Sequence, residues 1–298
     1  MIAVWSFWSK PYRLSRHKTW ASERHHLLSW ILSVELARKH FCKTQLVTDE
    51  QGARMLVEGL KLEFDTVTTA LDVLDRHYPR WWALGKIYTY RAQHEPFIHI
   101  DSDVYLWKPL PVTADTPLFA QNPEHFRVGS SFYKPELVLD FMVQHNGWLP
   151  EQWRWFLAGT DKQRAECCGV FGGNRLEFIN YYADLAIRFI EHTDNRHLWA
   201  ELDKRIETNV LVEQYLLSAC IEYNNRHGKV SGQSLAIEYL FASQQDAFNP
   251  EKAAAAGYTH LIADSKKDAT IANSLELRVE KDYPEAYQNC MRYIYSHR

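Results

Sequence analysis

The chain has 298 residues, of which 46% are apolar and 24% charged, and its formal net charge at pH 7 is −3. This composition is typical of a soluble globular protein with room for one large α/β domain or two small ones. Nucleic-acid-binding proteins generally carry a basic excess, so we expect no nucleic-acid partner. We also expect no membrane span, because no segment approaches the roughly 20 apolar residues that a spanning helix needs.

Strands and helices alternate through the first part of the chain. An apolar run at 2–8 predicts a buried first strand, followed by a polar loop from Ser9 to about Thr19. The spacing of the apolar residues then predicts helices over 27–36, 53–60 and 81–88 and strands over 45–48, 64–67 and 97–100. Strands that alternate with helices indicate a parallel sheet covered on both faces.

The second half of the chain is richer in predicted helix. The same spacing predicts helices over 135–145, 178–190, 197–224 and 283–295 and strands over 167–174, 236–241 and 259–263. No internal repeat, low-complexity tract or linker separates these elements. We therefore predict a single α/β domain over 1–298, with a mixed, mostly parallel sheet flanked by helices.

The cysteines favour a reducing compartment. Their number is odd and no pair has the C-x-x-C spacing; they are Cys42, Cys167, Cys168, Cys220 and Cys290. Such cysteines are typical of reduced thiols in a cytosolic protein. The apolar amino terminus also lacks the charged opening and cleavage site of a secretory signal. We therefore expect a cytoplasmic protein.

The sharpest motif is Asp101-Ser102-Asp103, which directly follows the apolar run at 97–100. Ligands of open parallel sheets bind beyond the carboxyl ends of the strands. Two carboxylates one residue apart can share a divalent cation that keeps open positions for phosphate oxygens. An isolated D-x-D of this kind is more often only a polar junction between a strand and a loop.

The segment Trp81–Pro111 around this motif resembles the GT-A-fold glycosyltransferases, whose D-x-D follows a nucleotide-binding α/β segment. The resemblance implies that residues 1–111 bind a nucleotide sugar and that 112–298 form the acceptor side and a carboxyl-terminal segment for the metal and diphosphate. It implies Asp101 and Asp103 as ligands of Mn²⁺ or Mg²⁺. Ser102 would lie beside the donor sugar or ribose, and Lys86 would reach the donor.

Two later segments extend the resemblance to the family 6 and family 8 transferases. Gly172 and Gly173 resemble the glycine-bearing strand that lines the sugar pocket, where small residues let the backbone approach a ligand. His260 resembles the carboxyl-terminal histidine that completes the metal site, and Lys266 the lysine that meets the diphosphate. Imidazole and ammonium groups suit a site that holds Mn²⁺ and pyrophosphate. The chain is thus identified as a divergent relative of these families.

The first half of a GT-A sheet supplies the nucleoside pocket. Asp49 follows the second strand and is a candidate contact to base or ribose. Trp8, like Trp5 and Phe7 of the first strand, is a candidate for stacking on the base, although core packing is the better explanation for two of these three aromatic residues. Lys10 lies where that strand opens into the next segment and is a further candidate donor contact.

Glu213 and Gln214 are the candidate catalytic residues. The pair resembles the acidic residue and glutamine that family 8 enzymes place on the sugar face opposite the leaving diphosphate, and it implies retention of the anomeric configuration. In an inverting enzyme, Glu213 would instead act as the base beside the acceptor hydroxyl. The structural alternative is that both residues lie on the polar face of the 197–224 helix and meet only water.

The sequence therefore predicts a metal-dependent transferase that moves a sugar from a nucleotide diphosphate donor, most simply a UDP-sugar. The acceptor would be a glycan, a lipid-linked glycan, a small molecule or a peptide. One alternative is a phosphatase of the haloacid-dehalogenase type, with Asp101 as nucleophile and Asp264 and Asp268 as its later acidic pair. The other is a nucleotide-sugar-binding protein without catalytic activity.

Overall fold

The structure is a computed structural model that describes residues 1–15, 19–129, 132–228, 230 and 234–296. It confirms the predicted α/β class, with a seven-stranded mixed sheet in which most strand pairs are parallel. The chain forms two compact units. Unit 1 comprises Met1–Gly85, Phe97–Pro111 and Glu251–Arg298, and unit 2 comprises Lys86–Pro96 and Val112–Pro250.

The strands share short, largely apolar sequences. They are β1 (Ile2–Phe7), β2 (Thr44–Thr48), β3 (Thr66–Thr68), β4 (Phe97–Ile100), β5 (Val104–Leu106), β6 (Leu118–Arg127), β7 (Lys162–Gly173), β8 (Ile237–Tyr239) and β9 (Tyr258–His260). Strand β9 falls within the predicted 259–263 strand but for its first residue. The predicted 167–174 strand is the carboxyl-terminal part of the longer β7.

The helices vary from single turns to more than four turns. They are α1 (Ser9–Ser15), α2 (Glu23–Ala37), α3 (Glu50–Ala53), α4 (Ala83–Arg91), α5 (Pro135–Gln144), α6 (Glu151–Gly159), α7 (Leu176–Glu191), α8 (Trp199–Leu202), α9 (Thr208–Val210), α10 (Leu216–His227), α11 (Gln244–Ala247), α12 (Pro250–Ala256), α13 (Ala269–Asp282) and α14 (Pro284–Ser296). Short π-helical segments occupy Arg54–Gly59 and Leu211–Tyr215, and 3-10 turns occupy Ala70–Arg76 and Ala263–Lys267. Within the described ranges, no helix combines the length and the apolar character needed to cross a membrane.

Unit 1 contains four parallel strands in the order β3-β2-β1-β4. Strand β1 pairs with β2 and β4, so Val4 lies opposite Gln45 on one side and His99 on the other. Its side chains are buried at five of six positions, as expected of a strand covered on both faces. Strands β5 and β9 form a separate antiparallel pair. The carboxyl-terminal segment of the chain thus returns to pair with β5.

Unit 2 contains three strands in the order β7-β6-β8, with β6 antiparallel to β7 and parallel to β8. Gly173 ends β7 at φ +140, and a Cβ atom there would lie 2.1 Å from the carbonyl oxygen of Pro117. Only glycine fits that approach. The close contact that this glycine allows is therefore a contact between two backbone segments of the same unit.

The segment after β1 is helical, and the prediction of a loop from Ser9 to Thr19 is wrong over the residues of α1. Asp49 accepts hydrogen bonds from the Ser9 backbone nitrogen (2.9 Å) and hydroxyl (2.8 Å). A side chain from the end of β2 thus satisfies the first turn of α1. The sequence around Ser9 does not reveal that Asp49 is its partner, because the two residues are far apart in the chain.

The predicted helix over 197–224 is also wrong as a single element, since it divides into α8, α9, a π-helical segment and the first part of α10. The Thr208 hydroxyl donates to Asp203 (3.0 Å) where the helix is interrupted, an example of a polar side chain competing with helical bonding. The third strand begins later than predicted, at Thr66. Strands β5 and β6 and helices α6 and α13 had no predicted counterpart.

Candidate metal centre

The Asp101-Ser102-Asp103 segment forms the turn between β4 and β5. The Val104 backbone nitrogen donates to the Asp101 carbonyl (3.0 Å) and closes the turn. Two serines of α2 fix it from outside: Ser33 donates to the Asp101 carbonyl (3.2 Å), and Ser29 donates to the Ser102 carbonyl (2.7 Å). The turn is therefore anchored through its backbone carbonyls.

The antiparallel pair of β5 and β9 brings His260 to this turn. Val104 lies opposite His260 in the register, and the Leu261 backbone nitrogen donates to the Asp103 carbonyl (3.0 Å). One ligand atom from each of Asp101, Asp103 and His260 lies within 4.8 Å of the other two. The structure thus brings together the three residues that the sequence predicted as metal ligands.

The donor set fits a hard divalent cation. The side chains of Asp103 and His260 are 10% and 12% exposed, and that of Asp101 is 24% exposed. The cluster is therefore shielded on the protein side but open at Asp101. Two carboxylates and one imidazole are common ligands of Mn²⁺, and a set of three protein ligands leaves positions for other oxygens. These residues fit Mn²⁺ or Mg²⁺.

Lys266 gives the site a positive charge of its own. Its Nζ contacts Asp103 Oδ2, while His260 Nε2 lies 3.5 Å from Asp103 Oδ1. Burial alone would raise the pKa of Asp103, but Lys266 and His260 outweigh it and hold the pKa of this carboxyl well below its usual range. Asp103 is therefore a carboxylate throughout the neutral and mildly acidic range of pH.

Two histidines line the site without being predicted. His99 of β4 is buried, with Nδ1 3.7 Å from Asp101 Oδ1 and Nε2 2.9 Å from the Ser6 hydroxyl. His26 of α2 has its pKa lowered to about 3 by burial and by the charge of Lys266, so it is neutral. The alternation in Phe97–Asp101 could have indicated that His99 shares a strand face with Asp101. Nothing local pointed to His26.

The candidate nucleoside contacts of unit 1 are held by other groups of the same unit. Asp49 caps α3 by accepting from the Gly52 backbone nitrogen (2.7 Å) in addition to its bonds with Ser9. Lys10 Nζ donates to the carbonyl oxygens of Asp75 (2.5 Å) and His77 (3.1 Å). Trp8 is buried. The three residues thus all contribute to the packing of unit 1.

Lys86 lies in unit 2, where it forms a buried ion pair with Glu213. Its Nζ is 2.5 Å from Glu213 Oε1 and 3.0 Å from the Cys168 carbonyl oxygen, which accepts a hydrogen bond from it. The Tyr182 hydroxyl donates to the Glu213 carbonyl (2.5 Å). Glu213 lies in the π-helical segment and is fully buried. The alternative in which Glu213 meets only water is therefore wrong.

Gln214 is half-buried, and its side-chain oxygen accepts a hydrogen bond from the Tyr133 hydroxyl (2.5 Å). Gly172 is buried within β7, opposite Phe119 of β6. Both residues belong to unit 2. Ser102 belongs to the metal-site turn, where its carbonyl is bound by Ser29 as described above.

The later acids that would serve a phosphatase are engaged elsewhere. The Asp264 side chain is 92% exposed and pairs with Lys267 (3.2 Å). Asp268 caps α13 by accepting from the backbone nitrogens of Thr270 (2.8 Å) and Ile271 (3.0 Å). Neither acid belongs to the cluster formed by Asp101, Asp103 and His260.

Comparison with known proteins places the chain in a family. A family model described as a family of unknown function (DUF6734) matches residues 1–293, so the chain belongs to that family. No curated protein matches the chain significantly in sequence.

Proposed function

We propose that this protein is a metal-dependent glycosyltransferase with a GT-A-like fold, which transfers a sugar from a nucleotide diphosphate donor, a UDP-sugar, to an acceptor hydroxyl. One observation carries the proposal: ligand atoms of Asp101, Asp103 and His260 lie within 4.8 Å of one another, although His260 comes from a distant, carboxyl-terminal part of the chain. The acids follow a buried parallel strand, where sheets of this class bind their ligands.

The chemistry requires this combination of groups. A nucleotide diphosphate leaves with negative charge on its oxygens, and that charge must be stabilised as the bond to the sugar breaks. Asp101, Asp103 and His260 would hold Mn²⁺ or Mg²⁺, which when bound supplies positive charge to the diphosphate. Lys266 would add its ammonium on the same side, since it already contacts Asp103.

The stereochemical part of the proposal concerns Glu213 and Gln214. We propose retention of configuration, on the resemblance of this pair to the acid and glutamine of family 8 enzymes. The enclosure of Glu213 by Lys86 indicates that its carboxylate acts by holding the π-helical segment in place. Gln214, which keeps exposed surface, is then the member of the pair able to approach a sugar. The configuration of the product anomer, read by NMR, tests retention against inversion.

The phosphatase alternative receives less support. A haloacid-dehalogenase-type site needs a second acidic pair close to the nucleophile. Asp264 is exposed to solvent, and Asp268 is occupied as a helix cap. The glycosyltransferase proposal uses His260, to which the phosphatase mechanism gives no role.

The test is an incubation of the purified protein with a panel of nucleotide sugars and Mn²⁺, with release of nucleotide diphosphate as the readout. We expect release from a uridine donor, loss of release in excess chelator, and recovery on adding Mn²⁺. The matched control is D264N, which removes an exposed acid of the same unit and should leave release unchanged. Full activity in excess chelator, or release of inorganic phosphate from phosphomonoesters, would contradict the proposal.

A further inference from the structure

The candidate metal ligands already carry a cation of the chain itself. Lys266 Nζ contacts Asp103 Oδ2, and His260 Nε2 faces the other oxygen, Oδ1, at 3.5 Å. Both oxygens of Asp103 are therefore engaged by groups of the protein. A metal ion that uses Asp103 and His260 must enter beside an ammonium group that holds the same carboxylate.

Lys266 is held at this position from both ends. Its backbone carbonyl accepts a hydrogen bond from the Ala21 nitrogen (2.9 Å). Its ammonium lies 5.6 Å from the centroid of the Trp20 ring, which stacks on His26 at 5.6 Å and an interplanar angle of 13°. An aromatic face beside an ammonium group stabilises the charge. Lys266 thus differs from a surface lysine that moves freely through solvent.

The formal charges of the site change sign as ligands bind. Asp101, Asp103 and Lys266 together give a net charge of minus one, since His260 enters a metal site as the neutral imidazole. A divalent ion added to these three residues would make their sum plus one, with two cations on one carboxylate. The diphosphate of a nucleotide sugar, with two negative charges, would return the sum to minus one. The three residues therefore have the same summed charge without ligands as together with both ligands.

We propose that Lys266 is a built-in counter-cation that lowers the affinity of the site for a lone divalent ion and makes ion binding and diphosphate binding depend on each other. This inference rests on the proposed function, because it assumes that Asp101, Asp103 and His260 hold the ion. Coupling of this kind is reciprocal: the factor by which the diphosphate strengthens ion binding equals the factor by which the ion strengthens diphosphate binding.

The experiment measures Mn²⁺ binding to the full chain by calorimetry and by the EPR signal of free Mn²⁺, first without nucleotide. We expect K266M to bind Mn²⁺ at least about tenfold more tightly than the wild type, because the variant lacks a positive charge that would lie a few Å from the ion. K266R keeps the positive charge, although not the compact shape of the ammonium group, and should show none of the gain in Mn²⁺ affinity that is expected of K266M. The matched control is K267M, which removes the neighbouring lysine of the same 3-10 turn, paired with Asp264 and 51% exposed.

A second titration measures UDP at saturating Mn²⁺. K266M should bind UDP at least about tenfold more weakly than the wild type, while K267M should match the wild type. Thermal unfolding of each variant checks that the fold is retained. The inference that Lys266 is a counter-cation is supported if K266M, and neither K266R nor K267M, binds Mn²⁺ more tightly and UDP more weakly than the wild type.

Two results would overturn the inference and can be told apart. If K266M binds Mn²⁺ no more tightly than the wild type, Lys266 is not a counter-cation; loss of binding in D103N would then still support the metal site. If neither the wild type nor K266M binds Mn²⁺ at millimolar concentration, the metal site itself fails and the inference fails with it.

Discussion

Two pairs of lysine and acid in this protein have the same chemistry in different surroundings. In unit 1, Lys266 contacts Asp103, and their side chains are 21% and 10% exposed. In unit 2, Lys86 pairs with Glu213, and their side chains are 9% and 0% exposed. The first pair lies beside Asp101 and His260, the two other candidate metal ligands, whereas the second is enclosed by Tyr182 and a backbone carbonyl. From this difference in exposure we expect the Lys266–Asp103 pair to exchange partners when ligands bind and the Lys86–Glu213 pair to remain intact.

The largest expected effect is on the stability of unit 2. E213A leaves the ammonium of Lys86 buried and uncompensated, so we expect the free energy of unfolding to fall by about 3–5 kcal/mol, measured by urea denaturation. The double variant K86M/E213L removes both charges and should lose less than E213A alone. A loss below about 1 kcal/mol in E213A would show that the Lys86–Glu213 pair is not enclosed. The contrast with the Lys266–Asp103 pair would then fail.

D103N in unit 1 should behave in the opposite way. We expect its turnover of nucleotide sugar to fall by about 100–1,000-fold, because an amide neither carries the negative charge nor binds a hard ion as a carboxylate does. Its free energy of unfolding should fall by less than that of E213A, because Lys266, the partner left behind, keeps 21% of its side chain exposed and can turn to solvent. Large destabilisation with little loss of turnover would reverse the roles that we assign to the two pairs.

The H260A variant tests whether His260 is a ligand of the metal ion beside the Lys266–Asp103 pair. Removal of one imidazole ligand should weaken Mn²⁺ binding by about 10–100-fold without abolishing it, because both carboxylates remain. Calorimetric titration with Mn²⁺ measures this loss. H40A is the matched control, since it removes a histidine of unit 1 whose Nε2 lies 3.1 Å from the Leu106 carbonyl. Equal affinity in H260A and the wild type would remove His260 from the ligand set.

The smallest effect concerns pH. The pKa of His26 is lowered from 6.5 to about 3, so between those two values the unfolded chain binds a proton that the folded chain does not. The free energy of unfolding therefore falls as the pH decreases, by about 1 kcal/mol between pH 6.5 and 5.5 from this residue. H26Q should lose that share of the slope in urea denaturation at the two pH values. An unchanged slope in H26Q would contradict the assignment.

The sequence predicted those parts of the site that local pattern or the order of motifs can reveal. Asp101 and Asp103 directly follow an apolar strand, and His260 was identified from its order after the sheet. The antiparallel pairing of β5 with β9, which joins them, was not predicted, because β5 is very short and its partner lies near the other end of the chain. The fold class follows from alternating strands and helices, so it was accessible from sequence.

The residues whose surroundings were not predicted depend on contacts between distant segments. In the sequence, Asp49 is simply an acid at the end of a strand, but it caps α3 and binds Ser9. Lys86 and Glu213 resemble surface charges, and their burial depends on packing between segments that are far apart in the chain. A charged residue in a sequence window has the same appearance whether it is enclosed or open. Only the tertiary structure separates these two cases.

The most direct test of the metal-dependent account is a crystal soaked with Mn²⁺ and UDP and measured at a wavelength where manganese scatters anomalously. We predict an anomalous peak at about 2.0–2.6 Å from one ligand atom each of Asp101, Asp103 and His260, the range of divalent metal–ligand bonds. D103N crystals treated in the same way should lack the peak. A manganese peak bound elsewhere, or full occupancy of the same position in D103N, would contradict the account.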